Sequence, residues 1–116
     1  MNQTFSKTDR IVRGEDFTRI LRRGQCAADG MLVLFAMRSQ SGASPRLGVT
    51  IPKKTGNAVV RNQWKRLIRE AFRTQREQLP TGFDYVVRPK KDAQPDGHVI
   101  RRSIIKLARK AKTKSD

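Results

Sequence analysis

Residues 46–73, RLGVTIPKKTGNAVVRNQWKRLIREAFR, decide the fold. Leu47, Val49 and Ile51 alternate with Gly48 and Thr50, the pattern of a strand with one covered face. Lys53, Lys54, Thr55 and Gly56 link that strand to a helix, and Asn57 stands where its side chain can cap the first turn. At the helical step of about 100° per residue, Val60, Trp64, Leu67, Ile68, Ala71 and Phe72 fall within one arc of roughly 120°. Arg61, Asn62, Lys65, Arg66, Arg69 and Arg73 fill another of roughly 140°, and Gln63 falls between the two. The first arc can bury against a core, whereas the second must stay hydrated or meet a polyanion. Along this helix only Glu70 supplies a counter-charge. Unpaired backbone N–H groups at a helix start, here beside Lys53 and Lys54, can hold a phosphate.

Working outward, Glu15 to Arg23 (EDFTRILRR) places Phe17, Ile20 and Leu21 at helical spacing, with acids first and arginines last, as the helix dipole favours. Gly24 offers a stop, and a short strand can follow near Cys26 to Asp29. Met31 to Met37 (MLVLFAM) is too apolar to assign faces by alternation but has the length of a buried strand. Ser39 to Pro45 reads as a loop, so this strand and the one from Arg46 suggest an antiparallel hairpin. The long helix is predicted to run to about Gln78, before Pro80 and Gly82. Phe83 to Arg88 (FDYVVR) is a further strand, and Val99 to Ala111 a last helix with Ile100, Ile104, Leu107 and Ala108 on one side. The simplest packing is an α+β fold: a small mixed sheet with helices against one face, in the order α-β-β-(β)-α-β-α. The strands on either side of the long helix can then be parallel, with that helix as the crossover.

A chain of 116 residues fits a single domain, 1–116, with an ordered core from about residue 8 to 110 and a disordered basic tail, KTKSD. Lys and Arg number 26 against 10 Asp and Glu, a net charge of +16 that points to nucleic acid. No run approaches the roughly 20 apolar residues of a membrane span. The first residues, MNQTFSKTDRIVRGEDF, show neither a secretory nor a mitochondrial signal pattern, so the expected location is cytoplasmic. With one cysteine, Cys26, and one histidine, His98, a cysteine-rich zinc site is excluded. Cys26 reads as a small, partly buried residue and His98 as a loop or helix-start residue. No Walker loop, G-x-G-x-x-G, H-E-x-x-H or G-x-S-x-G occurs, and the acids are scattered, so no catalytic residues are assigned to the protein.

From Arg46 to Lys91 the chain resembles the protein subunit of bacterial ribonuclease P, on the G-V-T strand, the K-K-x-G-N-A-V turn, the R-N-x-x-K-R-L-I-R-E helix and the closing FDYVVRPKK. EDF and the residues after it resemble the family's first helix more weakly. One departure stands out, since the family carries Arg-Asn-Arg here and this chain has Gln63 and then Trp64. Gln63 shortens the cationic stripe without breaking it, and its amide can still hydrogen-bond RNA. Trp64, in the apolar arc, reads as a larger core residue in preference to a base-stacking one.

The resemblance implies a two-layer sandwich with a left-handed βαβ crossover, against the right-handed default. It implies an accessory protein in an endoribonuclease that removes the 5′ leader of precursor tRNA, the chemistry belonging to the RNA subunit and its Mg²⁺. The implied partners are that catalytic RNA and precursor tRNA, with no membrane and no protein partner required. Lys53, Lys54, Asn57, Arg61, Asn62, Gln63, Lys65, Arg66 and Arg69 are then expected to face the RNA subunit. Phe17 and Phe35 match aromatics of a cleft for the single-stranded leader, with Leu21 where an aromatic is often found; ordinary core packing is the other reading of both rings. Charge by itself also admits a ribosomal or RNA-chaperone protein, or a helix in a DNA major groove.

Overall fold

The computed structural model describes residues 10–11, 14–39 and 45–115. Along the chain run α1 (Gly14–Arg23), β1 (Gln25–Ala28), β2 (Leu32–Arg38), β3 (Arg46–Val49), α2 (Ala58–Gln75), β4 (Phe83–Pro89) and α3 (Gly97–Ser115). Single 3-10 turns at Lys53–Thr55 and Arg76–Gln78 flank α2. The expected order and the short extra strand are both present. α1 closes at Gly24, whose N–H donates to the Ile20 carbonyl at 2.8 Å. A Cβ on Gly24 would lie 2.5 Å from that oxygen and 2.9 Å from the Ala36 oxygen, so the turn into β1 needs glycine.

The four strands lie in the order β1-β2-β4-β3, antiparallel except for the parallel pair β3 and β4. α2 is therefore the crossover between parallel neighbours, as the sequence suggests. The hairpin expected of β2 and β3 does not form, because β4 lies between them. Phe83 to Val87 are buried without a break, and such a strand needs partners on both sides. The hairpin in the fold joins β1 to β2. Residues 40–44 of the loop assigned after β2 lie outside the described residues, as do residues 8, 9, 12 and 13 of the expected core and residue 116 of the tail.

Alternation along the strands divides the apolar residues between two faces. Leu32, Leu34, Ala36, Phe83, Tyr85 and Val87 pack with Trp64, Ile68, Ala71 and Phe72 of α2 and with Ile100, Ile104, Leu107 and Ala108 of α3. Trp64 is 1% exposed, so it is a core residue as its place in the apolar arc implies. On the other face Ile11 and Ile20 meet Val86, with Phe17, Phe35 and Met37 around them. The expectation that helices cover one face thus holds for α2 and α3, while α1 lies across the opposite face. Residues 112–115, expected to be disordered, continue α3, whose Ala111 is buried. Cys26 is exposed, since edge strand β1 has a neighbour on one side only.

A polar knot ties the β1–β2 turn to α3. One oxygen of Asp29 accepts the N–H groups of Met31 and Leu32 at 2.8 and 2.9 Å. The other accepts the Ser103 hydroxyl at 2.7 Å and lies 3.1 Å from the Lys106 ammonium. Burial acts to raise the carboxyl pKa, but the bonds from Leu32, Ser103, Met31 and Lys106 outweigh it and lower the value from the ordinary 3.8 to about 2. Because the folded value is the depressed one, this carboxylate supports folding fully above its unfolded pKa and ceases to as the pH falls through about 2. Asp29→Asn should lower stability at neutral pH by about 1–3 kcal/mol. It should also flatten the acid limb of stability against pH in urea titrations; a limb as steep as the wild type's would refute the role given to Asp29.

Candidate nucleic-acid interface

Burial of its apolar side sets which way α2 faces. Asn57 caps it, accepting the Val60 N–H at 3.0 Å, as the sequence predicts. Asn62, Lys65, Arg66 and Arg69 then line a surface hollow of about 450 Å³, completed by Glu70 and Arg73. Glu70 forms an ion pair with Arg73, so the one acid of the helix is engaged at the far end of the stripe. Arg61 is half-buried, with its Nε screened from solvent and without a hydrogen-bond acceptor among the described residues. Arg61 and Gln63 do not line the hollow, and Gln63 is exposed.

Lys53 and Lys54 sit on the 3-10 turn that precedes α2, both exposed. Lys54 lines a second cavity, of about 470 Å³, with Val33, Arg88, Lys90 and Lys91 and with Asp92 as its one acid. This cavity joins the turn before α2 to the sheet face that α1 partly covers. Arg88, Lys90 and Lys91 are not among the binding residues expected from the sequence. The available signal was alternation in FDYVVRP, which puts Asp84, Val86 and Arg88 on one face once β4 is taken as a strand.

On that open face Phe17 and Phe35 come together around Val86, each half-buried, so they serve both as packing for α1 and as partly accessible rings. The Arg88 guanidinium lies 5.7 Å from the centre of the Phe35 ring. Leu21, one turn along α1 from Phe17, is 40% exposed at the rim. Cys26 pairs with Phe35 across the β1–β2 ladder and shares its face. Arg46 and Asp84 meet here in a two-pronged pair at 2.9 and 2.7 Å. The hydrogen bond to Asp84 raises the Arg46 pKa, burial opposes this, and the charges of Asp84 and Asp16 add to the rise, so the arginine is firmly cationic. The backbone of residues 10 and 11 runs beside β3, with the Ile11 N–H donating to the Leu47 carbonyl at 2.9 Å, and this leads the chain into α1.

Such an arrangement can hold a strand of nucleic acid: partly exposed rings for bases, and guanidinium and ammonium groups at the margin for phosphates. Among the described residues no three His, Cys, Asp or Glu side chains come together as metal ligands. Asp16 pairs with Arg19, Asp29 with Lys106, Asp84 with Arg46 and Glu70 with Arg73. Each of these four carboxylates is thus engaged by a cation of the protein.

Comparison with known proteins agrees with this geometry. The sequence pattern of the family described as Ribonuclease P matches residues 5–112. The ribonuclease P protein component of Brevibacillus brevis is 36% identical over 108 residues, which cover 91% of this chain and 85% of that protein. Its counterpart in Chlamydia trachomatis serovar L2 is 36% identical over 93 residues, 80% of this chain and 77% of the other. Among solved structures, the RNase P protein of Staphylococcus aureus superposes with a TM-score of 0.80 at 32% identity, covering 91% of this chain and 97% of that one. The RNase P protein from Thermotoga maritima gives 0.78 at 30% identity, over 87% and 96% of the two chains.

The seat of α1 on the open face depends on Gly48. A Cβ there would lie 2.6 Å from Cε1 of Phe17, well inside contact distance. Gly48→Ala should therefore displace the Phe17 ring and cost about 1–3 kcal/mol. Chemical denaturation measures the cost, and the aromatic proton shifts of Phe17 and Phe35 should both move. Unchanged stability and shifts would show that Phe17 does not rest on Gly48.

Proposed function

The chain belongs to the ribonuclease P protein family, and from that premise we propose how its surfaces are divided between two RNAs. Members of the family are the accessory protein of an endoribonuclease in the 5′ maturation of tRNA, with catalysis by RNA. The partner of this protein is RNA. The finer assignment rests on one observation: Asn62, Lys65, Arg66 and Arg69 converge on one hollow of α2 whose only acid is already paired.

In the proposed division, this hollow receives the catalytic RNA. Arg61 donates to the RNA from the side of the hollow, Lys53 and Lys54 extend the contact to the start of the helix, and Asn57 holds that start in place. Arginine forks suit adjacent phosphate oxygens and the edges of folded RNA. The open sheet face takes the single-stranded leader of precursor tRNA, with Phe17 and Phe35 offering ring surface, Leu21 the rim, and Arg88 a cation over Phe35. Leu21 gives less stacking area than an aromatic would. Gln63 contributes an amide where relatives by resemblance carry a charge.

Hydrolysis of the phosphodiester is assigned to the RNA, and the Mg²⁺ it requires is assigned to RNA oxygens, in keeping with the engagement of Asp16, Asp29, Glu70 and Asp84 by cations. The protein acts by electrostatics: its cations lower the repulsion between two polyanions, which favours substrate binding when divalent ions are scarce. The site of action is the cytoplasm; among the described residues no helix is long and apolar enough to cross a membrane.

Reconstitution with the catalytic RNA of the same organism tests the proposal. Added protein should raise cleavage of precursor tRNA at low Mg²⁺, and Arg61→Ala or Lys65→Ala should weaken assembly by about tenfold. Equal cleavage with and without protein at low Mg²⁺ would overturn the reading. Gln63→Arg should restore one phosphate contact, strengthening assembly most visibly at high salt. A variant no tighter than wild type would mean that Gln63 lies outside the contact.

A further inference from the structure

A third cationic surface lies away from both of those. α3 carries no Asp or Glu between Gly97 and Ser115. Arg102, Lys106, Lys110 and Lys114 recur every four residues along it, about 6 Å apart along the axis, and all four are exposed. This row follows the outer edge of the sheet. At its head Arg102 and Lys106 line a cavity of about 400 Å³ between α3 and the β1–β2 turn, floored by Asp29 and Ser103. At its foot the Lys114 ammonium donates to the Cys26 carbonyl of edge strand β1 at 2.6 Å.

Ordinary causes account for part of this charge and leave the rest. Cations in the last turn of a helix are favoured by its dipole, which explains Lys114 but not Arg102 or Lys106, a turn or more from the C-terminus. Asp29 answers Lys106 alone. Solubility does not need a row of one sign in a chain already at +16, and such a row adds self-repulsion to the folded state. The other flank of α3 is occupied by α2: Gln75 donates to the Arg101 carbonyl at 3.0 Å, and Leu67, Ala71 and Thr74 line the hollow between the helices. The cationic hollow of α2 includes no α3 residue. The two cationic rows therefore look out from different sides of the helical layer.

We propose that the α3 row, with the hollow between α3 and the β1–β2 turn at its head, binds the phosphate backbone of a second segment of the partner RNA, apart from the segment on α2. The inference rests on the reading of this protein as an RNA-enzyme subunit. RNA fits because the row offers charge at regular intervals, and Asp29, the one acid lining the cavity at its head, is already engaged by Ser103 and Lys106. In this arrangement the protein bridges two RNA segments and holds them at a fixed separation.

The test uses the full chain and the complete ribonucleoprotein. The triple variant Arg102→Gln, Lys110→Gln, Lys114→Gln removes exposed charge and leaves the core intact, which circular dichroism melting verifies. It should assemble with the RNA subunit about tenfold more weakly, with the slope of log K against log salt reduced by about two to three. A photo-crosslinker attached at Lys110→Cys in a Cys26→Ala background should join to nucleotides different from those reached from Lys65→Cys. An unchanged affinity and salt slope, or crosslinks to the same nucleotides from both positions, would overturn the inference. Those results leave the α2 assignment standing so long as Arg61→Ala weakens assembly in the same assay; loss of the Arg61 effect would instead refute the earlier reading.

Discussion

Burial of Trp64, Ile68, Ala71 and Phe72 against the sheet fixes the rotation of α2 about its axis, and the cationic interface depends on that rotation. Each large apolar side chain contributes on the order of 1.5–3 kcal/mol when withdrawn from water. The four together hold the helix firmly enough that Asn62, Lys65, Arg66 and Arg69 have no alternative face. A helix free to turn would present these cations in a shifting pattern, with more entropy to lose on meeting a folded RNA. The parallel pairing of β3 with β4 adds to the constraint, because the helix between them must return across the sheet to join strands that lie side by side.

The acids matter as much as the cations. Asp16, Asp29, Glu70 and Asp84 each lie within bonding distance of a lysine or arginine, and two of those pairs span distant parts of the chain. Arg46–Asp84 joins β3 to β4, and Asp29–Lys106 joins the first hairpin to the last helix. Among the described residues, Lys53, Lys54, Arg66, Arg102, Lys106, Lys110 and Lys114 all keep their charge at the surface. The fold is locally tied where sheet and helices meet, and its field is positive on several sides.

Much of this can be read from the chain itself, for identifiable physical reasons. A helix with one apolar and one charged side has a period that shows in the sequence, so α2, its Asn57 cap and the residues of its hollow follow from spacing. Strand partnership is a different matter. FDYVV is apolar enough to be central, yet nothing local says that β4 inserts between β2 and β3, because ladder pairing depends on the whole sheet. The open face has even less local signal. Phe17 and Phe35 were placed by resemblance, whereas Arg88, Lys90 and Lys91 join Lys54 only through the return of β4 to the sheet centre. Asp29 carries no local signal of its role, because its partners Ser103 and Lys106 lie more than seventy residues away. The basic tail looked disordered by composition, but Ala111 is buried and carries the helix on.

The central claim is that the charged side of α2 and the turn before it meet the RNA while the apolar side stays in the core. Lysine acylation followed by mass spectrometry, with and without the RNA subunit, addresses it directly. Lys53, Lys54 and Lys65 should lose reactivity on assembly, and the emission of Trp64, the sole tryptophan, should keep the blue-shifted form of a buried indole. Undiminished reactivity at all three lysines in the assembled particle, or a change in Trp64 emission that signals stacking on RNA, would contradict the account.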